Sequence, residues 1–298
     1  MRIRANSNKN RELYWHAWAR TTCYKTVFSL FGFMRWARSK IAREPSKKWH
    51  GPLWKQIGAV LFGTTVQLSI DKNGRFMYIR SYQINDLIAL FGRPEERTVE
   101  EIIRSLKAGD VFFDVGAYIG QYTLLAADRV GKTGTVIAVE PENQNFELLQ
   151  RNIRENNAEN VSLFNFALGR QNGTAHLVSV TEDLAVSTLN PSWISALYPE
   201  INIDKQVTTV EVKTITTMMR ELRINHVDLL KIDVEGAEVQ VLEGGLEYFQ
   251  SGKIHCIICE LHGTRPEVKT LLERLSYQVE ENPQHIVAYL KREGEVVR

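Results

Sequence analysis

The chain has 298 residues, of which 44% are hydrophobic and 24% charged, and its formal net charge is +2 at pH 7. This length and composition can bury a sizeable core and predict one main domain with appendages. The three cysteines are too few for a disulfide-stapled scaffold and indicate a reducing compartment. The longest apolar run near the start, residues 27–34, is much shorter than the about 20 residues of a membrane-spanning helix.

Residues 1–50 form a strongly basic segment. They hold 12 of the 37 Lys and Arg residues but 2 of the 35 Asp and Glu residues, which leaves 25 basic against 33 acidic residues in 51–298. Aromatic side chains are interleaved with the basic ones over residues 11–43. This pattern indicates either an interfacial helix on anionic lipid or aromatic packing against the globule or a second subunit. We expect a cytoplasmic protein, which the lipid interpretation would place in peripheral contact with the inner face of the membrane. The pattern does not predict an oligomeric state.

Residues 51–108 are predicted to form a small subdomain of one hairpin and one helix. Residues 66–70 and 76–79 are two short β-prone runs, and the turn-forming residues 71–74 lie between them. The sequence Thr-Val-Glu-Glu at 98–101 matches a capping box and predicts that a helix starts there.

From residue 109 onward, predicted strands and helices alternate, which indicates βαβ units and a parallel sheet. The predicted core strands start at residue 111 and continue with 135–139, 161–166, 227–233 and 254–260. The predicted helices include 121–130, 145–156 and 234–243. Two strands around residues 282–283 are too close together for a crossover and are therefore antiparallel.

The rhythm breaks over residues 169–213. Residues 174–180 and 206–212 are predicted as extra strands. The weakly patterned residues 181–205 between them are interpreted as a substrate-facing lid. Within this stretch, residues 190–193 (Asn-Pro-Ser-Trp) resemble a motif of amino-group methyltransferases, but they precede the fourth core strand instead of following it. We therefore interpret them as loop residues.

A glycine-rich turn after the first core strand predicts a nucleoside site. Asp114 ends the strand, and Gly116 and Gly120 allow a tight turn and a close ligand approach. A second acid, Glu140, ends the next strand, where it can accept both hydroxyls of a ribose. A dinucleotide fingerprint would need Gly-x-Gly-x-x-Gly for a pyrophosphate, whereas here an anionic side chain lies beside the turn. The arrangement favours S-adenosylmethionine over NAD.

Three blocks make the chain resemble the FkbM family of S-adenosylmethionine-dependent methyltransferases. They are residues 109–120, 136–141 and 230–238, and the last, Leu-Lys-Ile-Asp-Val-Glu-Gly-Ala-Glu, is the most specific. The likeness covers residues 109–262. Two departures are Tyr118, where the family usually has Asn, and residues 216–218, where the family commonly has a Leu-Asp pair.

The resemblance implies a class I methyltransferase (Rossmann-like) α/β fold, with five parallel strands, an antiparallel C-terminal hairpin and an N-terminal extension. It places the methyltransferase domain at residues 109–298. It also implies methyl transfer from S-adenosylmethionine to a hydroxyl of a sugar or sugar-containing metabolite, a small-molecule or glycan acceptor. Two alternatives stay open: a non-catalytic membrane-associated binding protein that keeps the fold, and a nucleic-acid methyltransferase. The acidic globule and the absence of a recognisable RNA-binding module make nucleic acid unlikely as a partner.

The cofactor is assigned to residues at the ends of the first three core strands. Glu140 is predicted to hold the ribose, and Asp114 to organise the loop around the methionine amino end. Asn165 and Ala167, at the end of the third strand, are predicted to border the adenine. With the two glycines, the cofactor-binding set is Asp114, Gly116, Gly120, Glu140, Asn165 and Ala167.

The acceptor side is assigned to polar residues at the ends of the fourth and fifth strands. The predicted catalytic residues are Lys231, Asp233 and His262, and the predicted substrate-binding residues are Glu235 and Glu260. Lys231 lies in an apolar strand and must pair with an acid, for which Asp233, Glu235 and Glu260 are candidates. His262 and Asp233 are competing candidates for the general base. A divalent metal on Asp233, Glu260 and His262 is conceivable, but the spacing does not require one, and no metal is assigned.

Overall fold

The computed structural model describes residues 4–6, 12–13, 65–69, 75–80, 83, 85–86, 96–180, 183–197, 205–282 and 285–291. Most of the predicted arm, the predicted turn at 71–74, Pro283 and Cys23 lie outside the described residues. The chain divides into two compact units, residues 1–91 with 199–203, and residues 92–198 with 204–298. Within the described residues, no helix is long and apolar enough to cross a membrane.

The first unit contains a four-stranded antiparallel sheet in the order β2-β1-β3-β4. Its strands are β1 Arg4–Asn6, β2 Glu12–Leu13, β3 Thr65–Ser69 and β4 Phe76–Ile79. Strands β3 and β4 pair antiparallel, so the predicted hairpin is confirmed. Residues 4–6 of the predicted arm pair with β3. The domain boundaries at residues 50 and 108 stay predictions.

The second unit is built on a seven-stranded sheet in the order β14-β15-β13-β12-β5-β6-β7. Strands β7, β6, β5, β12 and β13 are parallel, β15 is antiparallel to β13, and β14 is antiparallel to β15. The predicted fold class, five parallel strands with an antiparallel C-terminal hairpin, is therefore confirmed. The strands are β5 Val111–Val115, β6 Thr135–Val139, β7 Val161–Phe164, β12 Val227–Ile232, β13 Ile254–Glu260, β14 Tyr277–Glu281 and β15 His285–Leu290.

A smaller sheet has the order β10-β9-β11-β8. It contains the two predicted extra strands, and its members are β8 Ala167–Leu168, β9 Gly173–Val180, β10 Asp183–Thr188 and β11 Lys205–Lys213. The third core strand was predicted to run to residue 166, but β7 ends at Phe164. Ala167 and Leu168 instead pair with Val212 and Lys213, because the chain crosses from the central sheet into the smaller one.

The described helices are α1 Glu96–Ser105, α2 Gln121–Val130, α3 Asn143–Glu155, α4 Pro191–Leu197, α5 Ile215–Glu221, α6 Glu238–Glu243, α7 Leu246–Gln250 and α8 Arg265–Arg274. Two predicted starts are wrong. Helix α1 begins before Thr98, which is buried with its hydroxyl 3.4 Å from His285 Nδ1. Helix α6 begins four residues after the predicted residue 234, since Glu235 and Gly236 have φ of 54° and 95° and interrupt a right-handed helix.

The central strands are buried on both faces. On β5, Phe112 and Phe113 are both fully buried but belong to different apolar clusters, because successive side chains point to opposite faces. Cys256 and Cys259 on β13 are buried free thiols. Burial raises the pKa of Cys256 to about 12, so this thiol is not a nucleophile at neutral pH. Two buried charged residues interrupt the apolar pattern of these strands, Asp114 on β5 and Lys231 on β12.

Candidate active site

The carboxyl ends of β5 and β12 are adjacent, and they bring Asp114 and Lys231 together. The two residues are direct neighbours in the parallel register. Lys231 Nζ lies 3.3 Å from Asp114 Oδ1 and 3.5 Å from Asp233 Oδ2, and it donates a 2.8 Å hydrogen bond to the carbonyl of Gly116. The predicted pairing with Asp233 is observed, and the pairing with Asp114 was not predicted. Lys231 therefore ties the acceptor-side strand to the glycine-rich turn.

Burial governs the charges of this pair. Burial lowers the pKa of Lys231, but the nearby carboxylates of Asp114, Asp233 and Glu260 outweigh it and raise this pKa above its usual value. Burial raises the pKa of Asp114, and this shift is opposed by Lys231 and by a 2.6 Å hydrogen bond from the Thr123 hydroxyl. Both side chains are almost completely inaccessible, so each charge depends on the other for its stability.

Gly116 lies where the glycine-rich turn makes a close backbone contact with the end of β12. Its φ is 77°, and a Cβ built there would be 1.8 Å from the backbone oxygen of Asp233. The same approach is fixed by a 3.0 Å hydrogen bond from the Asp233 N–H to the Val115 carbonyl. Gly120 also has a positive φ, 94°, and a Cβ there would be 2.6 Å from Leu149 Cδ1. Both predicted cofactor glycines thus occupy positions where backbone and packing require glycine.

We expect Gly116→Ala to destabilise the protein more than Gly131→Ala. Both glycines have positive φ, but a Cβ at Gly131 would meet no atom within 4 Å. The pair therefore separates the contact with β12 from the backbone preference, and overpacking of this kind costs about 1–3 kcal/mol. Urea unfolding of both variants measures the difference, and equal midpoints would contradict the observed close approach.

Glu140 follows β6 and is almost fully buried. Its Oε2 accepts a 2.9 Å hydrogen bond from the Tyr118 N–H, and its Oε1 accepts a 3.0 Å bond from the Glu142 N–H. Burial raises the pKa of Glu140 to about 7, against the opposing effect of these donors. The Asn145 amide also donates to Oε1, over 3.4 Å, so Oε2 keeps a lone pair for a hydroxyl, and Oε1 can accept a second hydroxyl only in place of this long bond.

The two residues predicted to border adenine lie in different surroundings. Asn165 is exposed, and its amide donates a 2.9 Å hydrogen bond to the Glu140 carbonyl, so it lies beside the ribose candidate. Ala167 is buried in the apolar cluster of the smaller sheet with Leu177 and Val210. Their assignment to adenine stays a prediction.

Past the end of β12, three predicted residues converge into an Asp-Glu-His cluster, which we define as Asp233, Glu235 and His262. His262 Nε2 lies 3.4 Å from Glu235 Oε2 and 3.8 Å from Asp233 Oδ1. All three side chains are 19–24% exposed, so the cluster is reachable from solvent. Glu260 ends β13 beside it, and its charge acts on Lys231.

A buried carboxylate orients the imidazole of this cluster. Glu238 is fully buried, and its Oε1 lies 2.9 Å from His262 Nδ1 while its Oε2 accepts a 2.7 Å hydrogen bond from the Thr264 hydroxyl. Burial lowers the pKa of His262, but the bond to Glu238 and the charges of Glu235 and Asp233 raise it to about 10. Nδ1 is thereby committed to Glu238, and Nε2 faces the other two carboxylates.

Within residues 181–205, which the sequence predicts to face the substrate, sequence reasoning did not single out the contacts that the segment Thr188–Trp193 makes with this site. The Thr188 hydroxyl donates to the Glu235 carbonyl at 2.6 Å, and the Asn190 amide donates to the Gly236 carbonyl at 3.1 Å. The Trp193 ring packs edge-to-face on the His262 ring, with centroids 5.4 Å apart. The resemblance to a substrate-binding motif at residues 190–193 was a usable signal, but its position in the chain argued against it. The interpretation of these residues as loop is wrong.

Comparison with known proteins finds similarity to methyltransferases. Methyltransferase 1 of Beauveria bassiana (strain ARSEF 2860) is 25% identical over 225 residues, 67% of this chain and 90% of that protein. Methyltransferase sdnD of Sordaria araneosa is 28% identical over 200 residues, 59% of this chain and 77% of that protein. The crystal structure of methyltransferase FkbM from Methylobacillus flagellatus KT aligns with a TM-score of 0.43 and 17% identity. That alignment covers 61% of this chain and 44% of the neighbour, so this chain spans less than half of its length.

Residues 114–297 match the family described as the methyltransferase FkbM domain. They include every residue of the Asp114–Lys231 pair and of the Asp-Glu-His cluster. The chain belongs to the FkbM family of methyltransferases.

Proposed function

We propose that the protein transfers a methyl group from S-adenosylmethionine to a hydroxyl oxygen of a sugar or sugar-containing metabolite. The observation that carries the proposal is the link made by Lys231. It joins the glycine-rich turn at Gly116, on the cofactor side, to Asp233 on the acceptor side. In an open α/β sheet, ligands bind at this edge, beyond the carboxyl ends of the strands.

The residues on the cofactor side fit a nucleoside with a charged tail. Glu140 Oε2 has a free lone pair for a ribose hydroxyl, Oε1 can accept the second in place of its 3.4 Å bond from Asn145, and the glycine turn permits a close approach to its backbone. Asp114 is bound by Lys231 and Thr123, so it stabilises the glycine-rich turn through Lys231 and does not contact a ligand itself. When bound, S-adenosylmethionine supplies an electrophilic methyl group on a sulfonium.

On the acceptor side, we assign the general base to Asp233. An alcohol must lose its proton as the new C–O bond forms, and a positioned base contributes about 10²–10⁴-fold to such a step. Asp233 lies next to the cofactor turn, with one oxygen toward Lys231 and the other toward the open cluster. His262 is worse placed to take this proton, because both of its nitrogens already face carboxylates. The hydroxyl proton passes to Asp233, the methyl group passes to the oxygen, and the C–S bonding electrons stay on sulfur.

A polyhydroxylated acceptor suits the polar groups around Asp233. Glu235 offers hydrogen-bond acceptors, and the half-buried Trp193 offers an apolar ring surface beside them. Glu260 is proposed as a further substrate contact at the end of β13. A cytoplasmic location and a peripheral membrane contact through residues 11–43 remain proposals, since only residues 12–13 of that segment are described.

We expect Glu140→Gln to weaken the binding of S-adenosylhomocysteine by about 10–100-fold, since charge-assisted hydrogen bonds contribute about 1.5–3 kcal/mol. The wild-type affinity is expected to rise between pH 6 and pH 8. The pKa of Glu140 is about 7, so the carboxyl is mostly protonated at pH 6 and has fewer lone pairs for the ribose. Above this pKa the ionised form accepts both hydroxyls.

Calorimetric titration at pH 6, 7 and 8 tests this prediction. Glu147→Gln, at an exposed position of helix α3, is the control outside the site. The Glu140→Gln variant should lose the pH dependence along with the affinity. Equal affinity of wild type and Glu140→Gln at pH 8 would remove Glu140 from the cofactor site. Turnover is then tested with labelled methyl donor and a panel of sugar-containing alcohols.

A further inference from the structure

The Asp-Glu-His cluster has the composition of a metal site. Asp233, Glu235 and His262 each offer one ligand atom, and these atoms all lie within 4.8 Å of one another. It is the one group of this kind among the described residues. The sequence suggested Glu260 in place of Glu235, but the turn at Glu235 and Gly236 brings the Glu235 carboxylate to the imidazole instead.

The distances fit ligands around an ion better than direct hydrogen bonds. His262 Nε2 is 3.4 Å from Glu235 Oε2 and 3.8 Å from Asp233 Oδ1, both longer than the about 3.2 Å limit of an N–H···O bond. Two ligands that each lie about 2.1 Å from one cation are themselves about 3–3.5 Å apart. The observed separations therefore need little adjustment to close on a single ion.

The imidazole is held as a metal-binding histidine is held. A ligating histidine usually donates its second ring N–H to a carboxylate, which fixes the ring and directs the free nitrogen at the metal. Here the fully buried Glu238 lies 2.9 Å from Nδ1 and leaves Nε2 toward Asp233 and Glu235. Glu238 is itself fixed by the Thr264 hydroxyl and by the Gly236 N–H, at 2.7 and 2.9 Å. The orienting carboxylate is thus outside the ligand set and independently anchored.

The charge around the cluster also favours a cation. Lys231 is shared between the buried Asp114, 3.3 Å away, and Asp233, 3.5 Å away, so this one ammonium offsets only part of the negative charge of the cluster. Negative groups outnumber positive ones among the charged residues that interact here. They are Asp114, Asp233, Glu235, Glu238 and Glu260 against Lys231 and His262.

We propose that Asp233, Glu235 and His262 bind one divalent cation that accepts mixed carboxylate and imidazole ligands, with Glu238 as the positioning residue for His262. The set of two oxygens and one nitrogen suits ions such as Mn²⁺ and Zn²⁺. Binding of the ion does not depend on the proposed reaction. Its role rests on the proposed function: the ion holds the acceptor hydroxyl beside the cofactor turn and lowers the pKa of that hydroxyl. Asp233 then binds the ion through Oδ1, on the His262 side, and takes the hydroxyl proton on Oδ2, on the Lys231 side.

Mn²⁺ binding to the metal-stripped full chain tests the proposal, by calorimetry and by the electron paramagnetic resonance signal of free Mn²⁺. The wild type is expected to bind one equivalent. Glu235→Gln and His262→Ala are expected to lose at least about tenfold in affinity, and Glu238→Gln about 10–100-fold through the orientation of the ring. His255→Ala is the matched control, because His255 lies 3.2 Å from Asp228 at the opposite end of the strands and should leave Mn²⁺ binding unchanged.

Binding of S-adenosylhomocysteine, measured on the same samples, separates the two proposals. If the wild type binds the nucleoside but no Mn²⁺, or if Glu235→Gln and His262→Ala bind Mn²⁺ as tightly as the wild type, the metal site is wrong and the methyltransferase proposal stands. If the chain binds Mn²⁺ but not the nucleoside, the metal site stands and the proposed reaction fails. Retained nucleoside binding in Glu235→Gln shows that the variant is folded.

Discussion

Lys231→Met should lower the free energy of unfolding by about 3–5 kcal/mol, the usual effect of removing one partner from a buried ion pair. The ammonium is 1% exposed, and its removal takes the compensating charge from the fully buried Asp114, which keeps its hydrogen bond from the Thr123 hydroxyl. The variant also loses the hydrogen bond to the Gly116 carbonyl, so the cofactor turn loses its tie to β12. Urea unfolding at pH 7 measures the loss.

Lys213→Met is the matched control for this prediction. Lys213 forms a 2.6 Å ion pair with Glu221, but the side chains are 22% and 53% exposed. Solvent screens such a pair, so its loss should cost at most about 1 kcal/mol. Similar losses in the free energy of unfolding of the two lysine variants would show that the buried pair stabilises the fold no more than the exposed pair.

The deficit of Lys231→Met should shrink as the pH falls. Burial raises the pKa of Asp114, and Lys231 opposes that shift, so the pKa rises further once the lysine is removed. A carboxyl whose folded pKa lies above its unfolded value destabilises the fold above the folded pKa, and protonation removes this penalty below it. The variant should therefore approach the wild type on acidification, and adding Asp114→Asn should recover part of the loss at pH 7.

The strands that the sequence predicted best are those whose pattern is decided by burial alone. Strands β5, β6, β12 and β13 are mostly apolar, and a parallel sheet covered on both faces requires such strands. Their order along the chain, together with the acids at their ends, was enough to predict Asp114, Glu140 and Asp233 at one edge.

The local capping patterns were less reliable, because side chains distant in sequence compete for the same hydroxyls. Thr264 directly precedes helix α8, yet its hydroxyl binds Glu238 and makes no capping bond to the helix. Thr98 is inside α1, near His285. A four-residue pattern contains no information about a partner 26 or 187 residues away.

The same limit explains the parts of the site that the sequence did not predict. Glu238 was visible within a specific motif, but its function depends on His262, which the fold of β13 brings to it. Trp193 and Asn190 reach the site only because β10 and α4 place them over the turn at Glu235 and Gly236. These contacts are set by topology, and one sequence does not reveal them.

Asp233→Asn should lower kcat/KM for methyl transfer by about 10²–10⁴-fold, the range expected for loss of a general base. Asparagine keeps the size of the side chain and can still accept a hydrogen bond from Lys231, whose charge remains paired with Asp114. The affinity for S-adenosylhomocysteine should therefore change little. The measurement uses labelled methyl donor and an acceptor identified in the panel of sugar-containing alcohols.

Asp228→Asn provides the control on the same strand. Asp228 lies at the other end of β12, where its carboxylate accepts a 2.8 Å hydrogen bond from the Val111 N–H, far along the strand from the site. That variant should keep its turnover even if it unfolds more easily.

His262→Ala, assayed at saturating Mn²⁺, should lower kcat/KM less than Asp233→Asn does. Both imidazole nitrogens are directed at carboxylates and away from an incoming hydroxyl. The reverse order would transfer the role of base to His262, and it would mean that the Glu238 contact prepares the imidazole for proton transfer.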